Sequence, residues 1–333
     1  MKAIDRRRFL AWMGVAGVSA GFGVHGRSAQ AADLSGITLN VSTYKTAYTQ
    51  FMSAAGLADT PYKVNPVFVT FDVALRSISA GNIDLGVNFT DIPLTIWGEN
   101  LSGAKVVAVA QNVIVGKALA VMIPEASTLT SAAQLRGKRV GYLKASNQHY
   151  FLLKLLDQQG LSFSDIVPVA LPKDMGAPAF MSGQLDAWIT QGPDTILAQQ
   201  RFGGRVLATA GEEYAGNSIV CASVKALDDP LRFAAVSDYL QRADQTLRWI
   251  QANPQKWAAL SSEWTGIDAA VYLEQARQVD GQDLRLFASS EVFIREQQGA
   301  ADYLRGKGVI AREVDVRGLW DGRLGGVLGV KAG

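Results

Sequence analysis

The sequence predicts an α/β protein built as two similar lobes, and three observations carry that prediction. From Ile37 onward, short apolar runs alternate with amphipathic stretches of helical period, the pattern of a mostly parallel sheet covered by helices. The segment Gly81-Asn-Ile-Asp-Leu-Gly-Val87 is echoed by Gly183-Gln-Leu-Asp-Ala-Trp-Ile189. In both, a glycine ends a helix and an apolar-Asp pair heads a strand. The chain has 333 residues, room for about two domains of ordinary size.

Composition narrows the class. A hydrophobic content of 48% with 19% charged residues describes a globular protein with a substantial core. The single cysteine, Cys221, excludes an intrachain disulfide framework and every multi-Cys metal site. His25 and His149 are the only histidines, so no multi-His metal site is expected, and nothing calls for a cofactor. The formal charge of +2 is concentrated at the N-terminus: without residues 1–31, 27 basic side chains face 29 acidic ones, a net of −2. Such a body argues against nucleic acid as a partner.

Residues 1–31 have the layout of a secretory signal. Asp5-Arg-Arg-Arg-Phe-Leu10 precedes an apolar, Gly/Ala-rich run from Ala11 to Val24, and Ala29-Gln-Ala31 supplies a cleavage site. The run is shorter than the roughly 18 apolar residues of a spanning helix. The arginine pair followed by Phe-Leu reads as a twin-arginine signal, so the export machinery of that route is an expected partner and the periplasm the expected location.

The first lobe is expected over residues 32–123. Ile37–Val41 reads as its first strand, followed by the loop Ser42-Thr-Tyr-Lys45 and a helix to about Gly56. Tyr62–Val69 is the second strand and Thr70-Phe-Asp72 opens a helix that ends near Gly81. Ile83–Asn88 is the third strand, with Phe89-Thr-Asp91 after it and Ile92-Pro93 opening the next helix. Gly116–Ile123 reads as a strand crossing into a second lobe, expected over residues 124–218.

The second lobe centres on the stretch 135–161. Val140–Leu143 is a strand, Ala145-Ser-Asn147 a turn, and a helix follows with Leu152, Leu155 and Leu156 on one face and a stop at Gly160. Ser146 and Asn147 are good N-cap residues, so free N–H groups and the positive end of the helix dipole would face the turn, a seat for an anion. Ile166–Leu171 is the next strand, followed by a short helix over Met175–Ser182. Asn217–Ser223 is the expected return crossing. From Pro230 the chain is helical and rejoins the first lobe over 219–333. Trp249, Trp257 and Trp264 recur at intervals of eight and seven, as on a core-facing stripe. Val279-Asp-Gly-Gln282 is a loop within reach of the cleft edge, and Ser290–Leu304 a last amphipathic helix.

Ligands of open α/β sheets bind outside the carboxyl ends of strands. The candidate ligand-binding residues are therefore Thr43, Tyr44 and Lys45; Phe71 and Asp72; Phe89, Thr90 and Asp91; Ser146, Asn147, Gln148 and His149; and Trp188 with Gln191 at the exit of the echoed strand. Trp188 reads more readily as core than as ligand wall. A catalytic pairing of Ser146 with His149 can be drawn, but the loop lacks the Gly-x-Ser-x-Gly elbow that would expose a nucleophile. No catalytic residue is assigned.

Gly137-Lys-Arg-Val-Gly141, Ser146-Asn-Gln-His-Tyr-Phe-Leu-Leu153, Ala80-Gly-Asn-Ile-Asp-Leu-Gly86, Gly183-Gln-Leu-Asp-Ala-Trp188 and the closing Leu304-Arg-Gly-Lys-Gly-Val-Ile310 before Val314-Asp-Val316 together resemble the solute-binding proteins of ABC importers for sulfonates, nitrate and taurine, the aliphatic-sulfonate branch above all. They run through nearly the whole chain after residue 31, in the family's order. The resemblance implies a type II periplasmic binding protein: two Rossmann-like lobes, a two-strand hinge, a closing cleft, and C-terminal helices packed on the first lobe. It implies a monomer that captures a small organic anion, an aliphatic or aryl sulfonate, and hands it to an ABC importer permease. Nitrate, taurine or a heteroaromatic, thiamine-pyrimidine-like ligand is the alternative within that fold, and a ligand sensor for a membrane receptor the alternative role. Two departures stand out. Ile189-Thr-Gln-Gly-Pro193 replaces the family's Trp-Asp-Pro type segment, and Phe89 is bulkier than the pattern expects.

Overall fold

The computed structural model describes residues 33–44, 47–97, 102–114, 118–210, 216–279 and 283–330. The expected signal 1–31 and the candidate Lys45 lie outside the described residues. The chain opens with β1 (Thr38–Ser42) and β2 (Lys63–Val67). α1 (Phe71–Ser79), β3 (Leu85–Thr90), α2 (Asp91–Trp97) and β4 (Ala104–Ile114) follow. Next come β5 (Leu119–Pro124), β6 (Arg139–Tyr142), α3 (Asn147–Gln158) and β7 (Val167–Ala170). α4 (Gly176–Met181), β8 (Ala187–Gln191), α5 (Pro193–Gln200) and β9 (Gly204–Thr209) complete that stretch. The last part holds β10 (Gly216–Ser223), α6 (Val224–Asp228), α7 (Pro230–Ala252), α8 (Pro254–Thr265), α9 (Ala269–Gln278), β11 (Leu286–Ala288), α10 (Glu291–Gly306) and β12 (Gly329–Val330).

These strands form two sheets with one plan. The larger runs β12-β11-β4-β10-β3-β1-β2 and the smaller β7-β6-β8-β5-β9. In each, three parallel strands (β2-β1-β3 and β7-β6-β8) meet a strand that arrives from the other sheet and pairs antiparallel: β10 against β3, and β5 against β8. Two crossings, β4 to β5 and β9 to β10, therefore link the lobes. β5 lies wholly in the smaller sheet, so the passage falls between Ile114 and Leu119, upstream of the crossing expected over Gly116–Ile123. β4, β9, β11 and β12 are not among the strands expected. The helix expected up to Gly56 is a single 3-10 turn, Tyr48–Phe51: Tyr48, Thr49, Phe51 and Met52 are all buried, which a one-sided surface helix cannot provide.

The sequence echo is a structural repeat. Gly81 and Gly183 end α1 and α4 in the left-handed region, at φ of 73° and 72°. Asp84 then accepts from the Asn40 N–H of β1 at 2.8 Å, and its own N–H donates to the Asn40 carbonyl at 2.9 Å. Asp186 does the same with Arg139 of β6, at 2.8 and 2.9 Å. Each aspartate thus fixes the head of the third strand on the first, and each is paired with an arginine: Asp84 with Arg232 of α7 at 3.0 Å, Asp186 with Arg139 at 2.8 Å.

Packing follows the layers. One face of the larger sheet (Leu39, Val41, Leu85, Val107, Ala222) packs on α7 through Val236, Tyr239, Leu240 and Ala243. Its other face carries α1, where Ala74, Leu75 and Ile78 meet Phe89. The smaller sheet packs on α3 through Leu152, Leu155 and Leu156, the expected stripe. Its other face holds Phe180 and Trp188, with the Trp188 indole lying where a side chain on Gly176 would project. α3 also meets the C-terminal region: Asp157 accepts from the Tyr303 hydroxyl at 2.6 Å and from Lys307 at 2.5 Å, and the Lys154 ammonium lies 3.9 Å from the Tyr303 ring centroid.

The two clamps differ in burial. The Asp84 side chain is 7% exposed and Arg232 30%, against 34% and 46% for Asp186 and Arg139. Asp84→Ala, which strands a largely buried guanidinium and a backbone N–H, is expected to cost about 3 kcal/mol or more. Asp186→Ala should cost about 1 kcal/mol, because water can replace much of what is lost. Urea unfolding of the two variants checks the order; equal losses would overturn the clamp argument.

Candidate functional site

A cavity of about 780 Å³ opens where the carboxyl ends of the parallel strands of both sheets meet. β1 contributes Ser42 with Thr43 and Tyr44 beyond it, and β3 contributes Asn88, Phe89 and Thr90. On the smaller sheet, the β6 exit supplies Leu143 to Gln148 and the β8 exit Gln191 to Asp194. α7, α8 and α9 close one side with Leu247, Ile250, Trp257 and Tyr272.

The turn between β6 and α3 is rigidly specified. Ala145 takes φ +55°, an uncommon conformation for a residue with a side chain. The Ser146 hydroxyl donates to the Leu143 carbonyl at 2.7 Å and accepts from Gln148 N–H at 3.1 Å. The Gln148 side-chain oxygen reaches back to Leu143 N–H at 2.9 Å. With Tyr150 N–H taken by the Ser146 carbonyl, the N–H groups of Asn147 and His149 have no acceptor among the described residues. Asn147 is 1% exposed, lines the cavity, and neither its amide oxygen nor its amide nitrogen has a partner. Lys144 stands two residues before the cap, and Lys173 at the β7 exit also lines the space; Asp194 is the one acidic residue among the described walls.

The opposite wall is a small network. Asn88, in the left-handed region at φ +63°, donates from its amide to the Tyr44 hydroxyl at 2.6 Å, and that hydroxyl donates to the Asn88 carbonyl at 2.9 Å. The Ser218 hydroxyl of β10 donates to the Asn88 amide oxygen at 3.1 Å. Phe71 and Phe89 pack edge to face at 4.9 Å. Phe89, only 5% exposed, lies over Gly86, whose missing side chain makes room for the ring. The bulk that departs from the family pattern is thus mostly absorbed in the lobe's core.

Of the candidates read from sequence, Thr43, Tyr44, Phe71, Phe89, Thr90, Ser146, Asn147, Gln148 and Gln191 line the cavity. Asp72, Asp91, His149 and Trp188 do not. Asp72 is held by Thr70 at 2.6 Å and Arg76 at 2.8 Å, bonds that draw its carboxyl below the usual range. Trp188 is core. His149 packs on Tyr142 and Phe163 at 5.0 and 5.5 Å; burial, aided by the charge of Lys144, pushes it down to about 4, so it is neutral at pH 7. Asp91, at the head of α2, accepts from Ile92 N–H at 2.9 Å. Burial pushes its carboxyl up to about 7 against the pull of the Ile92 and Asn217 N–H groups, and the Glu296 charge adds to the rise.

Asn88, Ser218, Lys144, Asp194, Trp257 and Tyr272 line the cavity without having been among the candidates. Trp257, expected on a core stripe, instead meets Tyr272 edge to face at 5.5 Å on the cavity wall. Val279 of the expected edge loop is also in the wall; residues 280–282 lie outside the described set.

Known proteins share this architecture. The model of the NMT1/THI5-like family matches residues 73–257, more than half of the chain. The chain belongs to the NMT1/THI5-like family. A putative aliphatic sulfonates-binding protein of Escherichia coli (strain K12) is 36% identical over 133 residues, a match that spans 40% of this chain and only 41% of that relative's length. Among solved structures, the periplasmic aliphatic sulphonate binding protein SsuA from Escherichia coli superposes with a TM-score of 0.75 at 21% identity, covering 89% of this chain and 94% of that one. The alkanesulfonate-binding protein SsuA from Xanthomonas axonopodis pv. citri, bound to MOPS, gives 0.72 at 23% identity, covering 87% and 99%. The fold of this NMT1/THI5-like chain is therefore the two-lobed periplasmic binding protein fold.

Asp91 gives the fold a pH signature. An aspartate held neutral up to about 7 in the folded chain, but ionised above 3.8 when unfolded, makes stability fall as pH rises between those values. Asp91→Asn removes that dependence. Its gain in melting temperature over the parent should be near zero at pH 4, grow toward pH 7 and level off above; a constant difference across that range would refute the assignment.

Proposed function

We propose that the protein is the periplasmic substrate-binding component of an ABC importer and that it captures an organic sulfonate in the cavity between its two sheets. The observation that carries this reading is Asn147, a buried side chain at the start of α3 with both amide atoms unpartnered, beside two backbone N–H groups that also lack acceptors. A sulfonate presents three acceptor oxygens and one negative charge. Its head would take the Asn147 N–H group and the Asn147 amide nitrogen, with the helix dipole and Lys144 favouring the charge. Phe71, Phe89, Val69 and Trp257 offer apolar surface to the organic tail.

Size favours a ligand with such a tail. The volume of about 780 Å³ falls in the usual range for sites of small organic molecules, roughly 300–1,000 Å³. Nitrate or taurine would leave most of it to water. The similarity to sulfonate-binding proteins supports the same ligand class. Closure of the lobes over the ligand excludes water and strengthens every polar contact to it. The permease of the importer is the proposed partner, and export through a twin-arginine signal over residues 1–31 the proposed route. Binding is preferred to catalysis because His149 is buried among aromatic rings, outside the cavity, with no partner on its Nδ1 atom.

Isothermal titration with hexane-1-sulfonate, naphthalene-2-sulfonate, sulfate and nitrate tests the reading. The organic sulfonates should bind and nitrate should not; failure of both sulfonates would overturn it. Asn147→Ala should weaken sulfonate binding roughly tenfold or more, the scale of a lost hydrogen bond to a charged group. The same change should leave the melting temperature of the ligand-free protein unchanged or raised, since the amide it removes has no partner there. Unchanged affinity would remove Asn147 from the site.

A further inference from the structure

The cavity is chemically asymmetric. Asp194 lines it from the first turn of α5, three residues after Gln191 ends β8 at the opening. An aspartate there ordinarily serves its own helix by accepting a first-turn N–H. Here no hydrogen bond and no ion pair within 4.0 Å reaches its carboxylate from the described residues. Burial accordingly draws that carboxyl upward, and Lys173, whose charge acts in the opposite sense, does not bond to it.

Around Asp194 the walls offer acceptors and aromatic faces. Its charge is felt by the phenol of Tyr272, which therefore lies nearby and which packs edge to face on Trp257. The Tyr272 hydroxyl is itself committed as a donor, to Thr265 at 2.9 Å. Gln275, one turn along α9, lines the same space with an amide oxygen that is buried and unpartnered. Its amide nitrogen stands 4.0 Å from where a side chain on Gly192 would begin, which puts this group at the head of α5. A carboxylate, an unspent amide oxygen and two aromatic rings are the surroundings that suit an ammonium group.

We propose that this protein reads both ends of its ligand, the sulfonate head at the start of α3 and a protonated amine at Asp194, so that its preferred ligands are elongated aminosulfonates. The inference rests on the anion-binding reading given above and adds the second pole. Asp194 rejects a second anion, Lys144 and the α3 terminus reject a free amine, and only a dipolar molecule satisfies both. The rejection of each wrong end gives selectivity that attraction alone would not.

The test compares two probes of equal chain length, 6-aminohexane-1-sulfonate and heptane-1-sulfonate, by isothermal titration at pH 7. The amine should bind roughly tenfold or more tightly, as expected for a close charge pair removed from water. Asp194→Asn should abolish that preference while leaving heptane-1-sulfonate affinity within about threefold, a result that also shows the variant to be folded. Equal affinities in the parent protein, or a preference that survives Asp194→Asn, would overturn the second pole and leave the sulfonate reading intact. Binding of neither probe would remove the sulfonate reading as well.

Discussion

Two aspartates set the geometry on which the cavity depends. Asp84 and Asp186 each exchange a pair of bonds with the first parallel strand of their lobe, one through the carboxylate and one through the backbone N–H. A strand of five or six residues fixed at its head has its carboxyl end fixed too. The carboxyl ends of each sheet therefore emerge in a fixed stagger: β3 runs on from Gly86, opposite Ser42 at the end of β1, to Thr90, and β8 runs on from Trp188, opposite Gly141 of β6, to Gln191. The segments beyond those ends form the binding surface: Thr43, Asn88 to Thr90, Leu143 to Gln148, and Gln191 to Asp194. A slip of one residue would turn each of these side chains to the other face of its sheet.

Two such edges make a cavity only if they face each other, and the exchanged strands supply that condition. β10 enters the larger sheet from the smaller one and β5 does the reverse, each antiparallel to its neighbour. Both sheets are thus tied at the same place to the same pair of crossings. β10 also delivers Ser218 directly onto Asn88, so a crossing strand completes the wall it adjoins. The C-terminal helices add the remaining side. α7 is held by the larger sheet, while Asp268 at the head of α9 pairs with Arg201 at the end of α5 at 2.9 Å, so α9 spans from one lobe to the other.

Much of this was legible because it is local. The glycine stops at Gly81, Gly160 and Gly183 and the Ser146 cap each depend on a few adjacent residues, and each stands where the sequence places it. The paired Gly-x-apolar-Asp segments announce the repeat because the clamp needs the same residue at the same offset in both lobes. Side-chain direction was less legible. His149 and Trp188 sit beside the opening in sequence, yet helix and strand periodicity turn both inward, one onto Tyr142 and the other onto Gly176. Asp72 and Asp91 are in first turns, where backbone and neighbouring side chains claim a carboxylate before any ligand can. Trp257, Tyr272 and Gln275 were invisible for the opposite reason. Their helical spacing describes a buried face, and nothing in the spacing says that part of that face borders a void.

One mark of function is the hydrogen bonding left unfinished inside the cavity. Most buried polar groups in a folded chain are paired, because leaving one bare costs about 1–3 kcal/mol. Among the described residues ten carry buried unpartnered side-chain atoms, and three of them, Tyr48, Asn147 and Gln275, line one cavity. The turn beside Asn147 and the Asp84 clamp are saturated by contrast: the Ser146 hydroxyl uses both its donor and an acceptor site, and Asp84 is bonded through both oxygens. A ligand that supplies the missing partners adds free energy to the folded state alone, so occupancy and stability rise together. Hydrogen-bonding capacity left open inside a rigid frame is what lets a binding protein select its ligand, since a molecule lacking the right groups leaves the same polar atoms bare.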